Sequence, residues 1–190
     1  MIRIIPDLLE LINLDETIKL DIRYARNDNF VGRPVYQEAR AFLQPVAVEA
    51  LARVNSKLRS KGLGLIVFDG YRSWPVTNLF WDVVTKEQRP YVADPAVGSR
   101  HNRGCAINLS LYELSTGRQL EMPSEFDEFN EKSHPDFDRG AITQRRNRDI
   151  LINTMESDEF EVNPKEWRHY DHADREQYEI LNFPIDEIGG

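Results

Sequence analysis

The chain has 190 residues, of which 41% are hydrophobic and 29% charged, and this balance predicts one globular domain over residues 1–190. Its 24 basic and 32 acidic residues give a net charge of −8. That charge argues against nucleic acid as a partner, because phosphate binding needs a basic surface. The single cysteine, Cys105, excludes an intrachain disulfide.

The N-terminal segment does not have the pattern of a targeting sequence. Asp7, Glu10, Asp15 and Glu16 interrupt its apolar residues too early for a signal peptide. No apolar run approaches the ~20 residues of a membrane span. We therefore expect a cytoplasmic protein without membrane association, and its oligomeric state, including a homo-oligomer, stays open.

The first half of the chain predicts two strand–helix pairs. Residues 18–24 alternate between apolar and polar side chains, which indicates a half-buried strand. Apolar residues at helical spacing over 47–58 predict a helix, and Gly62 follows as a stop signal. Residues 65–68 are a short apolar run typical of a buried strand. A second helix is predicted from an N-cap at Ser73 to residue 84.

The second half predicts a loop over 90–103, a helix over 143–157 and a strand over 167–170. Between them, residues 106–112 form an alternating strand. One side of that strand carries Ile107, Leu109 and Leu111, and the other carries Ala106, Asn108 and Ser110. Because helices and strands do not alternate regularly, we predict an α+β fold with a central antiparallel or mixed sheet backed by helices.

Two polar clusters are candidates for chemistry. Residues 99–108 read Ser-Arg-His-Asn-Arg-Gly-Cys-Ala-Ile-Asn, and residues 166–171 read Glu-Trp-Arg-His-Tyr-Asp. A catalytic zinc site needs about three protein ligands, an open position for water, and a nearby carboxylate to act as base. His101, His169 and Glu166 supply most of this set. Spacing alone is weak support, since the chain has four histidines.

The clusters resemble the signature of the zinc D,D-peptidases that include the VanX-type D-alanyl-D-alanine dipeptidases. That signature is Ser-x-His-x-x-Gly-x-Ala-x-Asp followed by Glu-x-x-His. It is matched here by Ser99, His101, Gly104, Ala106, Glu166 and His169, with Asn108 at the position of the aspartate. Stretches at 21–25, 29–34 and 69–72, and residues 122–123 with 126–127, also look like the dipeptidase branch. The resemblance extends from about Asp21 to Asp171.

The resemblance implies zinc as the cofactor and a zinc D,D-peptidase-like fold. His101, His169 and the residue at position 108 would be the metal ligands. Glu166 would be the general base that takes a proton from the attacking water and returns it to the leaving amine. Arg72 would polarise the scissile carbonyl and stabilise the oxyanion.

The resemblance also implies the substrate, the small dipeptide D-Ala-D-Ala, which would be split into two D-alanines. Ser99 and Asp127 match positions that would help to bind the free amino end of that dipeptide. Recognition of both ends of the substrate is what would make such an enzyme a dipeptidase.

Asn108 departs from the family pattern, which has aspartate there. An amide offers a neutral carbonyl oxygen, whereas a carboxylate offers a charged and stronger donor. We therefore expect reduced zinc occupancy and reduced activity. A second expectation is geometric: residues three apart in a regular strand point to opposite faces, so Glu166 must lie in a bend before the strand that carries His169.

Several alternatives remain. A non-catalytic protein that binds the dipeptide without a metal is favoured by Asn108 and opposed by the retention of Glu166, Arg72 and both histidines. A related peptidase acting on longer peptidoglycan stems is another.

For individual residues, Arg72 can simply pair with Asp69 and brace the turn. Two interpretations of Cys105 remain: a nucleophile with His101 as its base, or simply a small buried residue. His134 is expected in a loop, and His172, in a charged stretch, on the surface.

Overall fold

The structure is a computed structural model that describes residues 7–189, so the N-terminal stretch examined for a signal peptide lies partly outside the described residues. Within that range the chain forms seven strands and three α-helices. In chain order they are β1 (Leu9–Glu10), β2 (Ile18–Leu20), β3 (Phe42–Leu43), α1 (Pro45–Arg59), β4 (Leu63–Asp69), α2 (Trp74–Val83), β5 (Ala106–Glu113), α3 (Ile142–Glu156), β6 (Phe160–Asn163) and β7 (Glu166–His172).

Five strands form one sheet in the order β2-β4-β5-β7-β6, and β1 pairs with β3 in a separate ribbon. Strands β2 and β4 are parallel, and the other neighbours in the sheet are antiparallel. Helix α1 packs on β4 and on α3, which in turn packs on β5, β6 and β7. The predicted fold class, α+β with a mixed sheet backed by helices, is therefore confirmed.

The alternation in β5 separates the core from the face that carries the polar residues. Ile107, Leu109 and Leu111 are fully buried in the main hydrophobic cluster, together with Leu51 and Leu58 of α1. Each such leucine contributes roughly 1.5–3 kcal/mol by leaving water. The opposite side of β5 therefore carries the side chain of Asn108 and those of its alternate neighbours, as the alternation predicted.

The predicted helices and the later strands are confirmed with their ends moved by a few residues, but the strand predicted over 18–24 is too long. It ends at Leu20, and Arg23–Ala25 form a turn of 3-10 helix. The chain turns there because the carbonyl of Tyr24 accepts hydrogen bonds from the N–H groups of Val35 and Tyr36. The loop predicted over 90–103 contains the 3-10 turn Arg100–Arg103 and the end of another, Arg89–Tyr91.

Two register shifts lie beside the polar face of the sheet. In the β4–β5 pair, Val67 opposes Leu109 and then Asp69 opposes Asn108. In the β6–β7 pair, Val162 opposes Tyr170, and then the register jumps so that Asn163 opposes Glu166. Irregularities of this kind bend a strand and redirect its side chains, and they are frequent next to active sites.

Among residues 7–189, no helix is both long enough and apolar enough to cross a bilayer.

Candidate active site

A cleft of about 180 Å³ opens on the polar face of the sheet. This volume is below the ~300 Å³ at which pockets for drug-sized ligands begin, so the cleft suits a small substrate. It brings together all seven residues that the sequence singled out: Arg72, Ser99, His101, Asn108, Asp127, Glu166 and His169. They come from several elements and are up to 97 positions apart in the sequence (169 − 72), and the fold assembles them.

The two histidines meet inside the cleft. Nε2 of His101 lies 3.3 Å from Nδ1 of His169, and the two rings are nearly perpendicular. Both residues are buried. The short 3-10 turn that begins after Ser99 positions His101, and the middle of β7 positions His169.

The outer nitrogen of each ring is held by an acceptor. Nδ1 of His101 donates to the carbonyl of Gly70 at 2.7 Å, and Nε2 of His169 donates to the Asp171 carboxylate at 2.8 Å. Because these acceptors fix the ring protons on the outer nitrogens, the neutral forms present lone pairs on the two facing nitrogens. Lone pairs at this distance repel unless a proton or a metal ion lies between them, so the arrangement fits a cation.

The two imidazoles differ in their preference for a proton. Burial, reinforced by Arg72 and His169, lowers the pKa of His101 well below its usual value. Burial also opposes protonation of His169, but the charge and hydrogen bond of Asp171 outweigh it and raise the pKa of His169. His101 is therefore neutral and ready to act as a ligand.

Asn108 supplies a third donor atom next to this pair. It lies directly opposite His169 across the β5–β7 ladder and opposite Asp69 on β4. Its side-chain oxygen is buried and has no hydrogen-bond partner within the described residues. A buried unsatisfied oxygen is costly, and a metal ion would satisfy it. Two imidazole nitrogens and one oxygen match the three protein ligands of a catalytic zinc site.

The set contains only two residues of the usual metal-binding types. No group of three or more His, Cys, Asp or Glu residues in the part of the chain that the structure describes is arranged to hold a metal. The third donor beside the two histidines is the amide of Asn108, which is not one of these residue types.

Glu166 reaches the cleft because of the irregularity in β7. It is the first residue of that strand, and the β6–β7 register jumps between its partner Asn163 and Val162. The predicted position of Glu166, in a bend before the strand, is wrong. The structure instead places it within the strand, and the shifted register lets Glu166 and His169 line the same cleft. Its Oε1 accepts a hydrogen bond from the buried Arg168 at 3.0 Å.

Arg72 is held rigidly at the end of β4. Its Nε and Nη2 donate to Oδ2 of the fully buried Asp69 at 3.2 and 2.6 Å, and Tyr36 donates to the other oxygen of Asp69. The guanidinium also lies over the ring of Phe80 at 4.5 Å. The bracing interaction with Asp69 is thus present, and Arg72 lines the cleft as well.

Ser99 precedes the 3-10 turn Arg100–Arg103, and Asp127 lies within the irregular segment that follows β5. The Ser99 hydroxyl accepts from the backbone N–H of His101 at 3.2 Å and caps the turn that carries this histidine. Asp127 accepts from the Tyr24 hydroxyl at 3.1 Å and from the Phe30 backbone at 3.0 Å. Burial raises the pKa of Asp127 to about 6, and the nearby Arg168 limits the rise.

Part of the cleft was not foreseen from the sequence. One wall is aromatic and is formed by Tyr24, Phe30, Phe80, Tyr91 and Phe129. Tyr91 stacks on Phe129 with ring centroids 5.5 Å apart, and its hydroxyl lies 3.2 Å from Nε2 of His134. These residues lie on irregular segments or have ordinary core spacing, so periodicity gave no signal. The contact of Asp171 with His169 could have been predicted from the sequence, because residues two apart in a strand share a face.

The remaining reactive residues lie outside the cleft lining. Cys105 is fully buried, and burial raises the pKa of its thiol to about 12, which opposes a role as nucleophile. The expectation that His172 is on the surface is wrong. It ends β7, is 2% exposed and packs edge-on against Phe160, because the charged stretch begins only after the strand.

The α+β fold thus brings two opposed imidazoles, an acidic side chain and a fixed arginine together in one small cleft. Comparison with known proteins specifies the class of protein. A family model described as D-Ala-D-Ala dipeptidase matches residues 6–186, so the chain belongs to this peptidase family.

Individual relatives agree. The chain is 33% identical to a D-alanyl-D-alanine dipeptidase of Escherichia coli (strain K12), over 92% of this chain and 89% of that protein. It is 34% identical to a D-alanyl-D-alanine dipeptidase of Enterococcus faecium, over 83% and 88%. Among solved structures, a vancomycin-resistance D,D-dipeptidase in complex with a D-Ala-D-Ala phosphinate analogue matches with a TM-score of 0.46 and 17% identity, over 87% of this chain and 66% of that chain.

Proposed function

We propose that this protein hydrolyses D-Ala-D-Ala to two D-alanines with a zinc ion held by His101, Asn108 and His169. The observation that carries the proposal is the contact between the facing nitrogens of His101 and His169, beside an unsatisfied oxygen of Asn108. When bound there, zinc supplies a Lewis acid that polarises oxygen ligands and makes water a stronger acid. The asparagine makes the ligand set one unit more positive than a carboxylate would, so zinc occupancy and turnover are reduced.

Glu166 acts as the general base in this proposal. Its carboxylate lines the cleft together with His169, and its Oε1 is oriented by Arg168. It takes a proton from the attacking water and delivers that proton to the amine that leaves when the peptide bond breaks. A carboxylate fixed by one partner still has a second oxygen for the proton transfer.

Arg72 binds the carbonyl oxygen of the scissile bond. Two of its nitrogens are engaged by Asp69, which leaves the N–H groups of Nη1 for a ligand. A guanidinium fixed in advance can stabilise the developing oxyanion without reorganising during the reaction. In this proposal the buried Asp69 therefore fixes the position of the positive charge of Arg72.

Ser99 and Asp127 bind the amino end of the dipeptide. The Asp127 carboxylate is partly enclosed and accepts two hydrogen bonds that fix its direction, so it can pair with a substrate ammonium. The Ser99 hydroxyl, which already accepts from the His101 backbone, keeps its own proton to donate. The aromatic wall provides an apolar surface for the methyl groups of the substrate.

The test is release of D-alanine from D-Ala-D-Ala by the purified full chain with added zinc. Glu166→Gln keeps the shape and removes the base, and the control is Glu161→Gln on β6, an exposed glutamate paired with Arg175. We expect zinc-dependent release that Glu166→Gln lowers by ~10²–10⁴-fold and that Glu161→Gln leaves unchanged. Release that survives both chelation and Glu166→Gln would contradict the proposal.

A second candidate is dipeptide binding without hydrolysis, which the neutral side chain of Asn108 favours. In that case equilibrium dialysis would show D-Ala-D-Ala bound, and excess zinc would produce no D-alanine. Cleavage of longer stem peptides is less favoured by the small volume of the cleft. Comparing dipeptide with pentapeptide cleavage separates these two peptidase specificities.

A further inference from the structure

Asp171 lies directly behind one of the proposed metal ligands. It is two residues after His169 on β7, so both side chains are on the same face of the sheet. Its Oδ1 lies 2.8 Å from Nε2 of His169, on the side of the ring that faces away from His101. The opposite strand places Ala106 across from Asp171, two pairs along from Asn108 and His169.

His169 is the principal partner of the Asp171 carboxylate. The two side chains are 9% and 10% exposed, so the pair is shielded from water. Two other cations act on Asp171. The Nε of Arg100 lies 3.8 Å from its Oδ2 and belongs to a side chain that is 51% exposed, and Arg175 is engaged by Glu161. A longer contact to a solvated group is worth much less than a short shielded one, so the charge of Asp171 acts mainly on His169.

We propose that Asp171 is a positioning residue that supplies, behind His169, the negative charge that Asn108 does not bring to the metal. This inference rests on the proposed function, because it takes His101, Asn108 and His169 as the ligands. The Asp171 carboxylate holds the ring proton of His169 on Nε2 and so keeps the Nδ1 lone pair free for the metal. It also makes the ring a stronger donor, as carboxylate–histidine pairs do at zinc sites.

The ligand set then has the same formal charge as a set with aspartate at position 108 and no carboxylate behind His169. The charge has moved from direct contact to one imidazole away. Removing such an outer carboxylate costs roughly 10–100-fold in metal affinity. The effect should be at the larger end here, because no ligand in the proposed set carries a charge of its own.

The experiment measures zinc affinity by competition with a chromophoric chelator, using the metal-free full chain. We expect Asp171→Asn, which keeps the shape and loses the charge, to bind zinc roughly 10–100-fold more weakly than the wild type. Glu161→Gln is the matched control: Glu161 lies opposite Asp171 across the β6–β7 ladder, but it is exposed and paired with Arg175. It should bind zinc as the wild type does.

A rescue variant distinguishes charge from a purely structural role. Asn108→Asp combined with Asp171→Asn restores the formal charge, and we expect its zinc affinity to equal or exceed that of the wild type. If the double variant stays as weak as Asp171→Asn alone, Asp171 acts through the fold and the inference is overturned. Wild-type affinity in Asp171→Asn overturns it as well, while the proposed function stands.

Two further results complete the test. A wild type that binds no zinc overturns the proposed metal site and this inference together. If Asp171→Asn fails to fold, as judged by circular dichroism, ¹⁵N spectra of the histidine rings in the metal-free wild type decide the question. We expect neutral His169 to carry its proton on Nε2, and a proton on Nδ1 overturns the inference.

Discussion

Asn108 and His169 lie directly opposite each other on β5 and β7, and the side-chain oxygen of Asn108 is buried without a hydrogen-bond partner among residues 7–189. An antiparallel pair brings such side chains within about 4.5–5.5 Å at Cβ. The sheet therefore places the side-chain oxygen of either an asparagine or an aspartate at position 108 beside the imidazole. What the asparagine changes is the charge of that donor.

Arg72 should be sensitive even to conservative replacement. Arg72→Lys keeps the charge but loses the paired hydrogen bonds to Asp69, so the cation is no longer fixed. We expect kcat/KM for D-Ala-D-Ala to fall by ~10²–10³-fold, the usual effect of losing an oxyanion donor.

The matched control for this arginine is Arg40→Lys, since Arg40 pairs with Glu10 away from the cleft. Arg72→Ala should also destabilise the fold by about 3–5 kcal/mol, because it leaves Asp69 buried and unpaired. Full activity in Arg72→Lys would remove Arg72 from the proposed mechanism.

Asp127 should give substrate binding a pH dependence. Burial raises the pKa of Asp127 to about 6, so the carboxyl is neutral below that pH and ionised above it. Only the ionised form pairs with the substrate ammonium. The ratio of kcat/KM between the wild type and Asp127→Asn should therefore increase with pH and be half-way near pH 6, since kcat/KM reports the free enzyme.

Taking the ratio cancels every titration that the two proteins share, including that of the histidines. A ratio that stays flat between pH 5 and 8 would show that Asp127 does not bind the amino end.

The Tyr91–Phe129 stack should limit substrate length. The two rings line the cleft and pack at 5.5 Å with an interplanar angle of 17°. Tyr91→Ala removes one ring, so cleavage of a stem pentapeptide should increase relative to the dipeptide. Tyr91→Phe keeps the stack and loses only the contact with His134, and it should retain the preference of the wild type. Equal preference in all three proteins would refute this role.

Cys105 should be dispensable for catalysis. Its thiol is buried, with a pKa of about 12, and its Sγ contacts the backbone carbonyl of Arg103. We expect Cys105→Ala to keep most of the wild-type kcat/KM, and the native protein to react with thiol reagents much more slowly than the unfolded chain. Loss of activity in a folded Cys105→Ala protein would instead favour the cysteine nucleophile.

Much of the fold was predictable because its signals are local. The alternation in β5 correctly placed Ile107 and Leu109 in the core and Asn108 on the other side. The helical spacing of α1 likewise gave its buried face. The strand predicted beyond Leu20 failed because the tertiary hydrogen bonds of Tyr24 turn the chain, and no local pattern reports them.

The sequence predicted which residues form the site, but it did not predict how their side chains are arranged relative to one another. In a regular strand Glu166 and His169 would point to opposite faces and could not line the same cleft. The register shift between β6 and β7 allows them to do so. Such a shift depends on pairing between strands, which a single sequence does not specify. The prediction that His172 lies on the surface fails because charge alone does not show where a strand ends.

The most direct test of the central claim compares D-alanine release from D-Ala-D-Ala by the wild type and by Asn108→Asp, with zinc occupancy measured in both. Restoring the carboxylate should increase zinc affinity by roughly tenfold or more, given that outer carboxylates alone act on this scale. The account predicts that Asn108→Asp binds zinc more tightly and releases D-alanine faster than the wild type. Full zinc occupancy and equally fast release by the wild type would contradict it.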